Sequence, residues 1–280
     1  MKLAHLLLTH SQPDQVARLV KKLLYGDAHF YIHVDSKTDI APFLSIGEMQ
    51  NVFFIKKRVK VSWAGYSIVQ ATLNGFEEIV ASGVQYDYIN LLSGQDYPIK
   101  PMPHIHEFLT GHPGKIFMHT LSVTDEWQEA IPRFTRYHLL NYNFKGKYFV
   151  ERLANAVLPA RKLPEKMKLM GRSQWFTASR AAIVYVLEHL KTHPETVRVF
   201  RNSWAPDESI FQTILYNSPH KKDMVNDNLL YVDWSAGGAS PRVMTMEDAD
   251  KLRQSDKLFA RKFSVVTDAE ILDYIDSITA

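Results

Sequence analysis

Short apolar runs alternate with runs of helical period along the first third of this chain, and that alternation restricts the fold more than any other feature. Residues 3–8, 30–34 and 86–92 are short and rich in aliphatic or aromatic side chains, and they read as strands, with a shorter one at 52–55. Between them, Val16, Leu19, Val20, Leu23 and Leu24 share one face of a helix over residues 15–24, and residues 66–81 read as a second helix. Strands and helices in this order build an α/β fold, a mostly parallel sheet flanked by helices. Ligands of such sheets bind beyond the carboxyl ends of the strands. Three of those ends carry polar loops here: Thr9-His10-Ser11, Asp35-Ser36-Lys37 and Ser93-Gly94-Gln95-Asp96.

The alternation stops at about residue 119. Residues 120–170 mix aromatics with Arg133, Arg136, Lys145, Lys147, Arg152 and Arg161, and read as an irregular insertion facing an acceptor. The rhythm then returns with a strand at 174–178, a helix at 180–190, a helix after Pro206, a strand at 229–234 and a helix after Thr267. Without internal repeats or a low-complexity linker, residues 1–280 read as one domain. A formal charge of +3 is too small to argue for nucleic acid as a partner. With no cysteine, disulfides and thiolate metal sites are excluded, which fits a reducing compartment. The N-terminal apolar run is too short for a signal peptide or a membrane span, so a soluble protein is expected.

Three constellations could carry chemistry. In Trp204-Ala205-Pro206-Asp207-Glu208-Ser209-Ile210-Phe211, a proline turn leads into an apolar run. Proline suits the first position of a helix, and the helix N-terminus favours ionised carboxylates, so Asp207 and Glu208 read either as ordinary helix-start acids or as a general base with a neighbour. Arg242, Lys257, Arg261 and Lys262 surround Leu258-Phe259-Ala260. Converging cations can neutralise a diphosphate, while scattered ones form a solvated basic face. Metal candidates are weaker: His104 and His106 lie in a proline-flanked turn into a helix, and Asp248-Ala249-Asp250 follows Thr245 as a helix cap would. No P-loop, dinucleotide fingerprint or nucleophile elbow is present.

Several segments, taken in order, resemble the core-2/I-branching glycosyltransferases, a family that includes β-1,6-N-acetylglucosaminyltransferases and peptide O-xylosyltransferases. They are Tyr31-Ile32-His33-Val34-Asp35-Ser36-Lys37, Ser62-Trp63-Ala64-Gly65-Tyr66-Ser67 and Tyr88-Ile89-Asn90-Leu91-Leu92-Ser93-Gly94-Gln95-Asp96-Tyr97-Pro98-Ile99. The second half is more similar to the xylosyltransferase branch, through Glu208-Ser209-Ile210-Phe211-Gln212-Thr213-Ile214-Leu215, Asn217-Ser218-Pro219-His220, the 228–234 strand and Leu258-Phe259-Ala260-Arg261-Lys262-Phe263. The resemblance implies a GT-A-like nucleotide-sugar transferase fold and inverting transfer of N-acetylglucosamine or xylose from a UDP-sugar, with no metal and no other cofactor. It makes Glu208 the catalytic base. It places Thr9, His10, Asp35, Trp63, Arg242, Arg261 and Lys262 around the UDP-sugar. Asp96, Arg133, Arg136, Gln174, Trp175, Asp207 and Trp234 fall on the sugar and acceptor side.

The chain also departs from the family. Golgi members carry a membrane anchor and many cysteines; this chain has neither, and resembles a bacterial relative, cytoplasmic and peripheral at the inner membrane. Xylosyltransferases carry an acid immediately before the matching tryptophan, where this chain has Gln174. The expected acceptor is therefore an oligosaccharide or a lipid-linked glycan of a surface polysaccharide rather than a protein serine. Two rival readings follow from the same residues: a non-catalytic carbohydrate- or nucleotide-binding module, suited by five tryptophans and thirteen tyrosines, and a metal-dependent GT-A transferase.

Overall fold

A computed structural model describes residues 1–164 and 166–280. In chain order, β1 (Leu3–Thr9), α1 (Pro13–Leu23), β2 (His29–Val34), β3 (Val52–Phe54), α2 (Tyr66–Ala81) and β4 (Tyr88–Ser93) form the βα units that the alternation predicts. After them come β5 (Asp96–Pro98), α3 (Met102–Thr110), β6 (Ile116–Ser122), α4 (Ile131–Thr135), α5 (Lys147–Val157), β7 (Met170–Ser179), α6 (Arg180–Thr192) and α7 (Pro194–Arg201). The chain closes with α8 (Ile210–Tyr216), β8 (Met224–Val225), β9 (Leu230–Val232), α9 (Ala249–Gln254), β10 (Phe259–Arg261) and α10 (Glu270–Ile278).

Seven strands form one sheet in the order β3-β2-β1-β4-β7-β6-β8. The pairs β3–β2, β2–β1, β1–β4 and β6–β8 are parallel, and β7 runs against both its neighbours. A small second sheet, β5-β10-β9, brings the C-terminal segment beside the end of β4.

The strands sort their side chains with the period of two that a sheet covered on both faces requires. Leu3 and Leu7 of β1, Phe30, Ile32 and Val34 of β2, and Tyr88 and Leu92 of β4 enter one core with Val16, Leu19, Val20 and Leu23 of α1 and with α10. Ala4, Leu6, Tyr31, Ile89 and Leu91 enter the other, against α2, α6 and α8. His5, buried between Leu3 and Leu7, stacks on Phe30 at 5.2 Å. Burial, and secondarily His106, pushes its pKa down to about 3, so it sits neutral in the core. His104 and His106 lie in α3, and Asp248 closes a capping box with Thr245.

Three expectations need correction. The run after Pro206 is not one helix: Pro206–Glu208 is a single 3-10 turn, Ser209 breaks it with φ −147° and ψ −27°, and α8 begins afterwards. Asp207 and Glu208 therefore do not sit on the first turn of an α-helix, and a helix dipole does not hold them. Residues 120–170, read as irregular, contain the end of β6 and the helices α4 and α5; Glu165 of that stretch lies outside the described residues. Helix α5 carries an apolar stripe at helical spacing, but it lies among lysines and arginines and buries none of its side chains, so what the residue types do not give is the direction in which it faces. The strand expected over 229–234 is shorter, spanning Leu230–Val232.

A cluster of Phe76, Phe176 and Phe211 ties α2, β7 and α8 together, with centroids 5.4–6.1 Å apart. It fixes the helix that immediately follows Glu208. Phe211→Ala should cost about 3–5 kcal/mol of stability, read as a lower denaturant midpoint with an unchanged m-value; a loss under 1 kcal/mol would show that the cluster does not anchor α8.

Candidate active site

The carboxyl ends of β1, β2 and β4 open into a cleft of about 950 Å³. That volume is at the upper end of those that hold small-molecule ligands. Thr9 and His10 line it from β1, His33, Asp35 and Lys37 from β2, and Ser93 and Gly94 from β4. Residues 172–175 of β7, Trp63 with Ala64, and Trp204 with Asp207 and Glu208 complete the walls, and the 238–241 loop, Trp234 and Arg261 also border it.

Glu208 is held by a cation from the segment read as irregular. The Arg133 guanidinium donates to Glu208 Oε2 at 2.5 Å. It lies between two indoles, with its central carbon 4.5 Å from the ring centroids of both Trp127 and Trp204. Sandwiched aromatics favour a planar guanidinium and fix its direction. Among the described residues Oε1 of Glu208 has no hydrogen-bond partner, which leaves one carboxylate oxygen to accept a proton. Asp207 differs from its neighbour. It is buried, its Oδ1 has no partner, and burial together with the adjacent Glu208 pushes its pKa up to about 7. The expectation that both acids are ionised is thus reversed for Asp207: desolvation outweighs any benefit of the turn.

Two close backbone contacts aim this turn. A Cβ on Gly171 would lie 2.5 Å from the carbonyl oxygen of Glu208 and 2.7 Å from Ser209 Cβ, so only glycine lets β7 run against the turn. On the other side Ala205 N–H donates to Ala64 O at 2.8 Å. Both alanines have left-handed backbones, φ 47° and 56°, a conformation that non-glycine residues reach at a cost. Both alanine side chains are buried, whereas the neighbouring Trp63 is exposed and meets Trp204 edge-on at 5.4 Å.

Arg261 enters from β10. It donates to the fully buried Asp96 at 2.6 Å and to Ser93 Oγ, and lies 4.7 Å over the Trp175 ring. Asp96 also accepts from Ser93 N–H at 2.7 Å. Expected as a sugar contact, Asp96 does not line the cleft; it supports two residues that do, Ser93 and Arg261. At the end of β2, Asp35 accepts from Lys37 N–H at 2.9 Å, and Arg58 binds the carbonyls of Val34, Asp35 and Thr38. His33 Nε2 accepts from Val59 N–H at 2.9 Å, and burial pushes its pKa down to about 4.

Of the residues chosen from the sequence, Thr9, His10, Asp35, Trp63, Arg133, Gln174, Trp175, Asp207, Glu208, Trp234 and Arg261 line one cleft. Arg136 does not; it is exposed. Nor does Arg242, whose guanidinium is engaged by Asp233, at 2.7 and 3.0 Å, and by Asp248. Lys262 lies behind the rim, donating to Ser240 Oγ at 3.1 Å, its pKa lowered by burial and by Arg261. Sequence reasoning missed Trp127, Trp204, Gly171 and the Lys257–Asp227 pair at 2.7 Å. The pair had a partial signal, since Lys257 stands in the basic C-terminal run; Trp127 and Gly171 had none, because only folding brings them to the 206–209 turn.

The family model described as Core-2/I-Branching enzyme matches residues 3–254. The chain is 28% identical to Xylosyltransferase oxt of Drosophila melanogaster over 92% of its own length, and 26% identical to human Xylosyltransferase 1 over 99%. It spans 31% and 30% of those two proteins. Among solved structures, mouse Xyloside xylosyltransferase 1 in its apo form aligns over 92% of this chain and 97% of that one, with a TM-score of 0.40 and 10% identity.

The buried Asp207 predicts a pH signature in stability. Its proton is held more tightly in the folded chain than in the unfolded one, so its contribution is fully present below about pH 4 and is lost as pH rises through about 7. Asp207→Asn keeps the neutral shape and should flatten the thermal-melting profile between pH 4 and 8, raising stability at pH 8 by about 1.4 kcal/mol for each tenfold of proton affinity that folding adds. A variant with the wild-type pH slope would mean that Asp207 is ionised in its pocket.

Proposed function

Because the chain belongs to the core-2/I-branching enzyme family, we propose that residues 1–280 act as one GT-A-like glycosyltransferase domain using a nucleotide-sugar donor. In this reading the reaction inverts the anomeric centre, the donor is UDP-N-acetylglucosamine or UDP-xylose, and the acceptor is a glycan hydroxyl. The observation that carries it is Glu208: a carboxylate in the cleft at the strand ends, with one oxygen held by Arg133 and the other open.

The chemistry follows from the groups present. Glu208 takes the proton of the acceptor hydroxyl as its oxygen attacks the anomeric carbon. The bond from that carbon to the diphosphate breaks on the opposite side, and UDP leaves with the electron pair. A positioned general base contributes roughly 10²–10⁴-fold. Arg261 is the cation best placed to meet the diphosphate, because Asp96 and Trp175 orient it while it borders the cleft. Lys262 and the 238–241 loop would have to move inward to join it. Thr9, His10 and Asp35 stand at the strand ends where a nucleotide would lie, and Trp63, Trp175 and Trp234 offer aromatic faces to sugar rings. Gln174, which also lines the cleft, is neutral and suits a sugar hydroxyl. Asp207, whose proton affinity is raised by burial and by Glu208, limits a second negative charge beside the base below about pH 7.

Arg133 orients Glu208 by holding Oε2 at 2.5 Å, and the indoles of Trp127 and Trp204 fix the direction of the guanidinium. Among the described residues no three His, Cys, Asp or Glu side chains gather closely enough to hold a metal ion; the reading assigns leaving-group charge to arginine instead.

Glu208→Gln should leave UDP binding intact, seen as an unchanged thermal shift (about 2.7 kcal/mol at ~100 times the dissociation constant), while transfer falls by roughly 10²–10⁴-fold. Near-wild-type transfer by the Gln variant would remove Glu208 from the role of base. Transfer and slow UDP-sugar hydrolysis should also persist in EDTA; loss restored by Mn²⁺ would replace the cationic mechanism with a metal-dependent one.

A further inference from the structure

Helix α5 is built inside out. Two of its polar residues bind the 137–139 segment: Glu151 accepts from Leu139 N–H at 2.8 Å and pairs with His138 at 3.6 Å, while Asn155 exchanges hydrogen bonds of 2.8 Å with both the N–H and the carbonyl of Tyr137. Its apolar residues face away. Phe149, Leu153 and Val157 recur at the spacing of one helical stripe and are 70%, 51% and 71% exposed. Val150 widens the stripe, Leu158 follows the helix, and Tyr142, Phe144 and Tyr148 border its N-terminal end, all exposed. A water-facing stripe of this size on a helix that buries none of its side chains calls for a partner.

Charge selects that partner. Between residues 142 and 162 the cations are Lys145, Lys147, Arg152, Arg161 and Lys162, against Glu151 as the one acid. Glu151 is turned inward onto Leu139 and His138, whereas Lys145, Arg152 and Lys162 are exposed beside the apolar stripe. An apolar stripe edged by lysine and arginine, with tyrosine and phenylalanine at one end, is the pattern of a helix lying in the headgroup layer of an anionic bilayer. No helix among the described residues is long and apolar enough to cross a membrane, so this contact would be interfacial.

We propose that α5 docks the protein on anionic phospholipid, with Phe149, Leu153 and Val157 inserted and Lys145, Arg152 and Lys162 among the headgroups. The same segment supplies Arg133 from α4, and Arg161 braces it by donating to the carbonyls of Val199 and Asn202. Docking would therefore hold the Glu208 side of the cleft near the lipid surface. The step from docking to a lipid-linked glycan acceptor rests on the transferase reading; the docking itself does not.

The test is flotation of the protein with vesicles of phosphatidylcholine alone and of phosphatidylcholine mixed with phosphatidylglycerol. Binding should require phosphatidylglycerol and weaken as salt is raised. The triple substitution Phe149→Ser, Leu153→Ser, Val157→Ser should weaken it by about a hundredfold, and the charge reversal Lys145→Glu, Arg152→Glu, Lys162→Glu should abolish the phosphatidylglycerol dependence. Because these side chains are exposed, both variants should keep the wild-type melting temperature and the UDP thermal shift, which separates loss of docking from loss of the donor site. Failure to float with anionic vesicles, equal flotation of the variants, or self-association that the serine variant abolishes would overturn the proposal, the last in favour of a second copy of the chain on this face.

Discussion

Two adjacent carboxyl groups at the floor of a cleft cannot both be charged without a cation to hold them, and the pairing of Arg133 with Glu208 meets that constraint. Asp207 is buried and keeps its proton to about pH 7, while Glu208 keeps one oxygen on the guanidinium and one free. Much else around the turn serves this arrangement. Trp127 and Trp204 fix the plane of Arg133, Gly171 lets β7 run against the turn, and the left-handed Ala64 and Ala205 lock its far side by a backbone hydrogen bond. The pairing also explains why α4 borders the cleft although the strand rhythm has lapsed there.

A second arginine repeats this logic at the other end of the cleft. Arg261 is oriented by the buried Asp96 and by the face of Trp175, as Arg133 is by Glu208 and two indoles. In both cases an aromatic surface sets the direction of the cation and a carboxylate compensates its partial burial, at a lower desolvation cost than a lysine would incur. Arg242 shows the contrast. Two carboxylates engage it and it does not line the cleft, so its charge stabilises the 233–248 loop instead.

Much of the fold was legible in the sequence because βα units announce themselves locally. A strand buried on both faces needs a continuous apolar run, and a helix covering it needs a 3.6-residue stripe, so β1, α1, β2, α2 and β4 follow from their own residues. The elements that escaped are those whose local pattern does not give their surroundings. Helix α5 turns its stripe outward among cations. The 206–209 turn resembles a helix start until Ser209 leaves helical backbone geometry, and it leaves because β7 and the 63–65 loop grip the turn from both sides.

The sequence by itself determined the α/β class, the polar strand ends that make a site, and the residue types of that site, including Glu208 and Arg261. These depend on local patterning and on motifs read in order along the chain. Only the tertiary structure decided which acid is buried and which keeps an open oxygen in the cleft, since that depends on packing and on a cation seventy-five positions away. It likewise decided that Asp96 supports Arg261 from beneath and that the apolar stripe of α5 faces outward. Desolvation, ion pairing and the facing of a helix are properties of neighbours in space, and neighbours in space are what a single sequence does not list.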